Sequence, residues 1–328
     1  MGVEQRKTLI QQIEEKRGSR LICCLTSDRD GAQGLIAKDF LHRFFLHLKD
    51  MPDLEKLDVL LFTLGGDTLA AYALSRLVRQ YAKFVGVLIP HMCLSGGTLF
   101  ALGANEIVMT RLATLSAIDP SINGPWNPPT EVQIPTNGQK PNTAPVGVES
   151  VAGFKKLVTE EWDLEPKGVS RAFSLLAEKV NPILLGDLQR SKEQIVHLAT
   201  SLMKLHMSLE DAKRIETAVE TLASRLGSHD YLLSATEARE DVKLQIAEQD
   251  PELENLILKL YEDFADEMEL GTPFNPIGLL GQGTQQAPAT KVLKIVMVES
   301  LNRSDSWERE IVIVPPGQMQ IRRNHWRT

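Results

Sequence analysis

The chain has 328 residues, 43% hydrophobic and 24% charged, the balance of a soluble globular protein long enough to bury a substantial core. Its formal charge of -7, with no dense Lys/Arg cluster, argues against a nucleic-acid partner. The charged N-terminal stretch "MGVEQRKTLIQQIEEKRGSR" lacks the apolar core of a secretory signal, and no apolar run reaches the roughly 18 residues of a membrane span. A cytoplasmic location follows as an expectation. Cys23, Cys24 and Cys93 have neither metal-ligand spacing nor a disulfide pattern, which excludes a cysteine-based metal site.

In chain order, Leu9, Ile10 and Ile13 recur at helical spacing and predict a short exposed helix within a segment 1–19. "RLICCLT" is an apolar run of strand length, followed by the turn-rich "SDRDGAQG" and a helix over "AKDFLHRFFLHLKDM". "LDVLLFTLGGDT" reads as a buried strand that stops at Gly65-Gly66, with the helix "LAAYALSRLVRQY" directly after it. "KFVGVLIPHMCLS" repeats the pattern, running as one strand into Gly96-Gly97 and the helix "TLFALGAN". "EIVMT" and "ATLSAIDPSI" add short strands. Alternating strands and helices of this kind predict an α/β fold around a parallel sheet, with sites at the carboxyl ends of its strands.

The Pro/Asn/Thr-rich stretch from Asn123 to Pro145 reads as a long loop and a candidate lid or substrate rim. Helical sequence follows from Glu149 to Arg225, then "GSHDYLLSATEAREDV" and the helix "PELENLILKLYEDFADEM". The domain that begins at residue 20 is expected to end near 265. A Gly/Pro/Gln linker over 266–290 leads to "KVLKIVMVES" and "REIVIVPP", read as a small β hairpin over 291–328, separate from the main core and a possible docking element for a protein partner.

The chemistry gathers at "TLGGD" and "CLSGGT". A serine hydroxyl becomes a nucleophile when a base takes its proton and backbone N–H groups receive the developing oxyanion. Glycines beside Ser95 would let a substrate carbonyl approach those groups, and a helix beginning there adds positive dipole. Ser95 followed by Gly97 fits the second half of a nucleophile elbow, with Cys93 in place of the first glycine. The tetrapeptide alone reads equally well as a helix N-cap serine. His91 would share a strand face with Cys93 and Ser95, though a satisfied core histidine is the better reading, and nothing nearby activates the Cys93 thiol.

Read as a whole, the order of strand, Gly-Gly, helix, strand, Ser-Gly-Gly, helix and "IDP" resembles the ClpP/crotonase superfamily. "PHMCLSGGTLFALGANEIVMTRLATLSAIDPSI" resembles more narrowly the SDH family of Clp-fold serine proteinases. The "HDY" segment and the helix ending "LYEDF" are similar to later parts of that family. The resemblance extends over residues 20–265 and is specific over 58–122. It implies a ClpP/crotonase-like fold with a helical extension, and an endopeptidase with catalytic groups in the order Ser, Asp, His. Carried over by position, these are Ser95, Asp119 and His229, with Gly66 and Gly96 as oxyanion donors. A homo-oligomer acting on peptides or unfolded proteins, without a cofactor, is implied with them.

Signal-peptide-peptidase-like relatives use a Ser-Lys dyad instead, which makes Lys140, Lys155 and Lys156 alternative bases. Locally, Asp119 before Pro120 also reads as a turn opener, and His229-Asp230 as a surface helix cap. Leu232 stands where the family carries a proline. A catalytically inactive scaffold of the same fold and acyl-CoA chemistry of the crotonase type are the competing functions. No P-loop is present, so ATP-driven unfolding would need a separate partner.

Overall fold

Buried apolar runs lay down the sheet, and the computed structural model describes residues 3–51, 53–119, 121–122, 126–128, 146–280, 288–315 and 317–328. The first half of the chain runs α1 (Val3–Arg17), β1 (Arg20–Thr26), α2 (Phe40–Leu48), β2 (Leu54–Phe62), α3 (Thr68–Tyr81), β3 (Ala82–Ile89), β4 (Met92–Cys93), α4 (Gly96–Ala101), β5 (Glu106–Met109) and β6 (Thr114–Ser116). There follow β7 (Ser121–Ile122), β8 (Val146–Gly147), α5 (Val148–Lys156), α6 (Pro166–Lys179), α7 (Pro182–Met203) and α8 (Ala212–Glu220). The last elements are β9 (Leu232–Leu233), α9 (Ala235–Glu240), α10 (Pro251–Met268), β10 (Ala289–Ser300), β11 (Arg303–Val314) and β12 (Gln318–Arg327).

A seven-stranded sheet has the order β12-β11-β10-β1-β2-β3-β5. Strands β1, β2, β3 and β5 are parallel, with Ile22 opposite Val59, Val59 opposite Val87 and Val87 opposite Ile107. The expected α/β architecture is therefore the observed one, with both faces of the parallel strands covered. Strand alternation divides the core in two. Ile22, Cys24, Val59, Leu61 and Val87 face the layer containing α2, α3, α7 and α8. Leu21, Cys23, Leu25, Leu60 and Leu88 face α1 and α10. Asp67 fixes the start of α3, its carboxylate accepting from the Leu69 and Ala70 N–H groups.

Three expectations are corrected. Helix α1 is not an exposed preface, because Ile10 and Ile13 are buried in the second core and Arg6 is wholly buried with them. The Arg6 guanidinium forks onto Glu299 at 2.7 and 3.1 Å, pairs with Glu267 and Asp263, and lies 4.7 Å from the Phe264 ring centroid. The C-terminal hairpin exists but is no separate appendage. Its strand β10 pairs antiparallel with β1, setting Cys23 opposite Glu299, and β12 extends the sheet further. Ile295, Val296, Ile311 and Ile313 join the main core because β1 would otherwise leave an unpaired backbone edge. Finally, "KFVGVLIPHMCLS" is not one strand. Pro90 lacks the N–H to continue the ladder, β3 stops at Ile89, and β4 enters a second sheet. The predicted loop from Asn123 to Pro145 falls largely outside the described residues.

His47 ties α2 to the C-terminal strands, its Nδ1 lying 2.8 Å from the Ser300 hydroxyl and its Nε2 3.3 Å from Asp305. Arg303 and Arg43 face the same carboxylate at 2.5 and 3.7 Å. Burial pushes the imidazole down from 6.5 to about 4, against the opposing pull of Asp305. Because the unfolded chain then takes up a proton that the folded protein refuses, stability falls as pH drops from 6.5 towards 4. The full loss from this residue is roughly 3 kcal/mol. Urea unfolding at pH 7 and pH 4.5 checks it: His47→Gln should lose less stability between the two pH values than the wild type, and an equal loss would refute the assignment.

Candidate active site

The second sheet has the order β4-β6-β9 and consists of very short strands. Strand β4 is parallel to β6, with Cys93 opposite Leu115, and β9 is antiparallel to β6, with Ser116 opposite Leu232. Ser95 lies two residues beyond β4 and Asp119 three beyond β6. Continuing the β6–β9 register places Asp119 opposite His229. Three chain segments far apart in sequence are thereby delivered to one end of this sheet.

Ser95 occupies the N-cap position of α4 with φ 50° and ψ -113°, and its side chain makes no capping hydrogen bond. The N-cap reading therefore gives the position but not the role. A non-glycine residue at positive φ is strained and persists only where its surroundings impose it. The backbone on either side is pinned by Gly97 N–H donating to Leu94 O at 2.8 Å and Leu99 N–H donating to Ser95 O at 3.0 Å. The half-buried hydroxyl is left without a hydrogen-bond partner among the described residues.

Gly65 and Gly66, at φ +112° and +144°, form the facing turn. A Cβ on Gly65 would lie 2.8 Å from the Ser95 Cβ, and one on Gly66 would lie 2.3 Å from the Ile36 carbonyl oxygen. Only glycine permits that approach. Ile36 bridges this turn like a parallel strand, its N–H donating to Gly65 O at 2.8 Å and its carbonyl accepting from Asp67 N–H at 2.9 Å. The Thr63 hydroxyl supports the turn from beneath, accepting from Gly65 N–H at 3.0 Å.

These bonds leave the Gly66 and Gly96 N–H groups without acceptors among the described residues. The Gly66 nitrogen lies 3.3 Å from the point a Gly96 Cβ would occupy, so the two amides are close neighbours beside Ser95. Helix α4 has only six residues, and local amides rather than a long macrodipole supply the positive end.

His229 Nδ1–H donates to Asp119 Oδ1 at 2.9 Å, the carboxylate being almost fully buried and the imidazole partly exposed. A carboxylate only accepts, so the proton sits on Nδ1 and Nε2 is the free basic nitrogen. The hydrogen bond to Asp119 raises the His229 pKa above 6.5, against the opposing effect of burial. The capping role once open to His229-Asp230 belongs to Ser234, which caps α9 in a box with Glu237.

Of the alternative bases, Lys155 and Lys156 are exposed at the end of α5, and Lys140 lies outside the described residues. His91 points elsewhere: its Nδ1 lies 3.3 Å from the Tyr261 hydroxyl and its ring packs against Phe62. Cys93 is buried, which pushes its thiol pKa well up. The supporting residues Ile36, Thr63, Thr98 and Ser116 carry no motif that sequence reasoning could have used. Among the described residues, no group of three His, Cys, Asp or Glu side chains is placed to hold a metal ion, and no helix is long and apolar enough to cross a membrane.

Comparison with known proteins adds similarities to this geometry. Two uncharacterized proteins of Methanocaldococcus jannaschii are similar. One is 24% identical over 264 residues, 78% of each chain. The other is 30% identical over 132 residues, 37% of this chain and 43% of its own length. Among solved structures, a mutant of a membrane-bound stomatin-specific protease superposes with a TM-score of 0.40 at 15% identity, over 74% of this chain and 84% of that one. A ClpP1 mutant from Listeria monocytogenes gives 0.36 at 13% identity, over 75% of this chain and 99% of that one. The model of the ClpP-like SDH-type serine proteinases matches residues 2–134, a segment that includes Ser95, Asp119 and both glycine turns but not His229. Over those residues, about two fifths of its length, the chain is similar to the ClpP-like SDH-type serine proteinases.

Proposed function

We propose that the protein is a serine endopeptidase whose nucleophile is Ser95. The observation that carries this reading is the strained corner at Ser95, where an uncommitted hydroxyl stands beside the neighbouring Gly66 and Gly96 amides. In the proposed reaction Ser95 Oγ attacks the scissile carbonyl carbon while its proton passes to His229 Nε2. The carbonyl oxygen becomes an oxyanion, received by the two glycine N–H groups. Collapse expels the amine, which takes the proton from His229, and an acyl-enzyme remains. Water then repeats the sequence, its proton going to His229 and the acid product leaving Ser95. Asp119 holds the imidazole tautomer and stabilises the imidazolium.

Peptides or unfolded segments are the substrate class that this chemistry fits. A homo-oligomer would form through apolar surface such as Phe173 and Leu175, exposed on α6. The exposure of Lys155 and Lys156 disfavours those two lysines as the base of a Ser-Lys dyad.

A fluorophosphonate probe followed by mass spectrometry tests the nucleophile. Labelling at Ser95 that is lost in Ser95→Ala and His229→Ala is the expected result. Labelling that survives His229→Ala would remove the histidine as base, and an unlabelled wild type would overturn the hydrolytic reading. A second expectation concerns Asp119. Because the base must be neutral and Asp119 raises its pKa, kcat/KM should climb with pH to a midpoint above 6.5. Asp119→Asn should lower kcat by about 10⁴-fold and move the His229 midpoint, read by NMR titration, to lower pH. An unmoved midpoint would show that the pair does not form.

A further inference from the structure

We infer that Ser116 is a positioning residue for the reaction, holding the nucleophile corner in register with the carboxylate strand. The inference rests on the peptidase reading and identifies what imposes the Ser95 backbone conformation. Ser95 N–H donates to Ser116 Oγ at 2.7 Å, and the Ser116 hydroxyl donates onward to Ala117 O at 2.9 Å. Ser116 N–H donates to Thr98 Oγ1 at 3.1 Å, and the Thr98 hydroxyl donates to Cys93 O at 2.8 Å. Ser116 and Thr98 are buried, at 1% and 0% exposure, so water cannot replace these bonds.

Three of these bonds form a circuit. It leaves β4 at Cys93, crosses α4 at Thr98, reaches the end of β6 at Ser116 and returns to Ser95. The Ser116 and Thr98 hydroxyls each both accept and donate, so neither is left unsatisfied. A residue at φ 50° needs its peptide group fixed from outside, and the Ser116 hydroxyl is the group that grips the Ser95 amide.

Two consequences follow for the chemistry. The Ser95 N–H is occupied, so it is not an oxyanion donor and the next amide, that of Gly96, takes the part. Ser116 also stands three residues before Asp119 on the same segment. One side chain therefore sets the nucleophile against the strand that carries the carboxylate of the His229 pair. A small displacement of reacting groups is enough to cost a large factor in rate.

The test compares the wild type with Ser116→Ala, Thr98→Val and Thr98→Ser, each confirmed folded by thermal melting. The readouts are the rate and affinity constants for fluorophosphonate inactivation and the hydrogen exchange of the Ser95 amide. Ser116→Ala and Thr98→Val should slow inactivation about ten- to hundredfold with affinity kept within about twofold, and Ser116→Ala should speed exchange at Ser95. Thr98→Ser, which keeps the hydroxyl, should restore the rate. Inactivation by Ser116→Ala at the wild-type rate overturns the proposal, as does an equal loss in Thr98→Ser and Thr98→Val, which would assign the effect to packing. Failure of the peptidase reading itself shows earlier and separately, as a wild type that the probe does not label at all.

Discussion

The backbone at Ser95 turns through φ 50°, a conformation that a side-chain-bearing residue holds only when its surroundings leave no alternative. Those surroundings are specific. The Gly65-Gly66 turn presses against the Ser95 side chain at a distance that admits no Cβ, and Ile36 pins that turn from the other side. The Ser116 and Thr98 hydroxyls hold the amide. Relaxing the corner would require displacing all of these contacts together. The consequence is chemical: the serine at the N-cap position of α4 makes no capping bond, and its oxygen is uncommitted among the described residues.

Rigidity beneath the site comes from the seven-stranded sheet and the two apolar layers it separates. The glycine turns follow β2 and β4, at strand carboxyl ends, where an open α/β sheet leaves a crevice. Helix α1 and the C-terminal strands, although far from Ser95 in sequence, belong to this foundation. Arg6 joins α1 to α10 and β10 through three buried or partly buried carboxylates. Removing either side of such a cluster would leave uncompensated charge in the interior, which costs far more than a surface pair. The site therefore rests on a core that includes both ends of the described chain.

The glycine turns were legible in the sequence because glycine pairs after apolar runs have few other uses, whereas Ser95 read equally well as a helix cap until the family resemblance was considered. The Asp119–His229 pair was not legible from spacing. It depends on the register of two-residue and three-residue strands, too short to show a period, and only the family resemblance named it. Arg6 was unreadable for a related reason: its partners lie at 263, 267 and 299, and an arginine among surface-type residues reads as solvated. His91 was placed near Ser95 by extending one strand through Pro90. The missing N–H at that proline breaks the ladder and with it the alternation of faces. The C-terminal strands were recognised as strands, but the partner of β10, β1, is about 270 residues earlier and left no local signal.

The central claim is spatial, that one oxygen on Ser95 faces two glycine amides and one histidine. A crystal structure of the protein after reaction with a fluorophosphonate measures this directly. The account predicts phosphorus bonded to Ser95 Oγ, a phosphoryl oxygen within hydrogen-bond distance of the Gly66 and Gly96 nitrogens, and His229 Nε2 within reach of Ser95 while Nδ1 stays on Asp119. An adduct on another residue, or a phosphoryl oxygen directed away from both glycines, would contradict it.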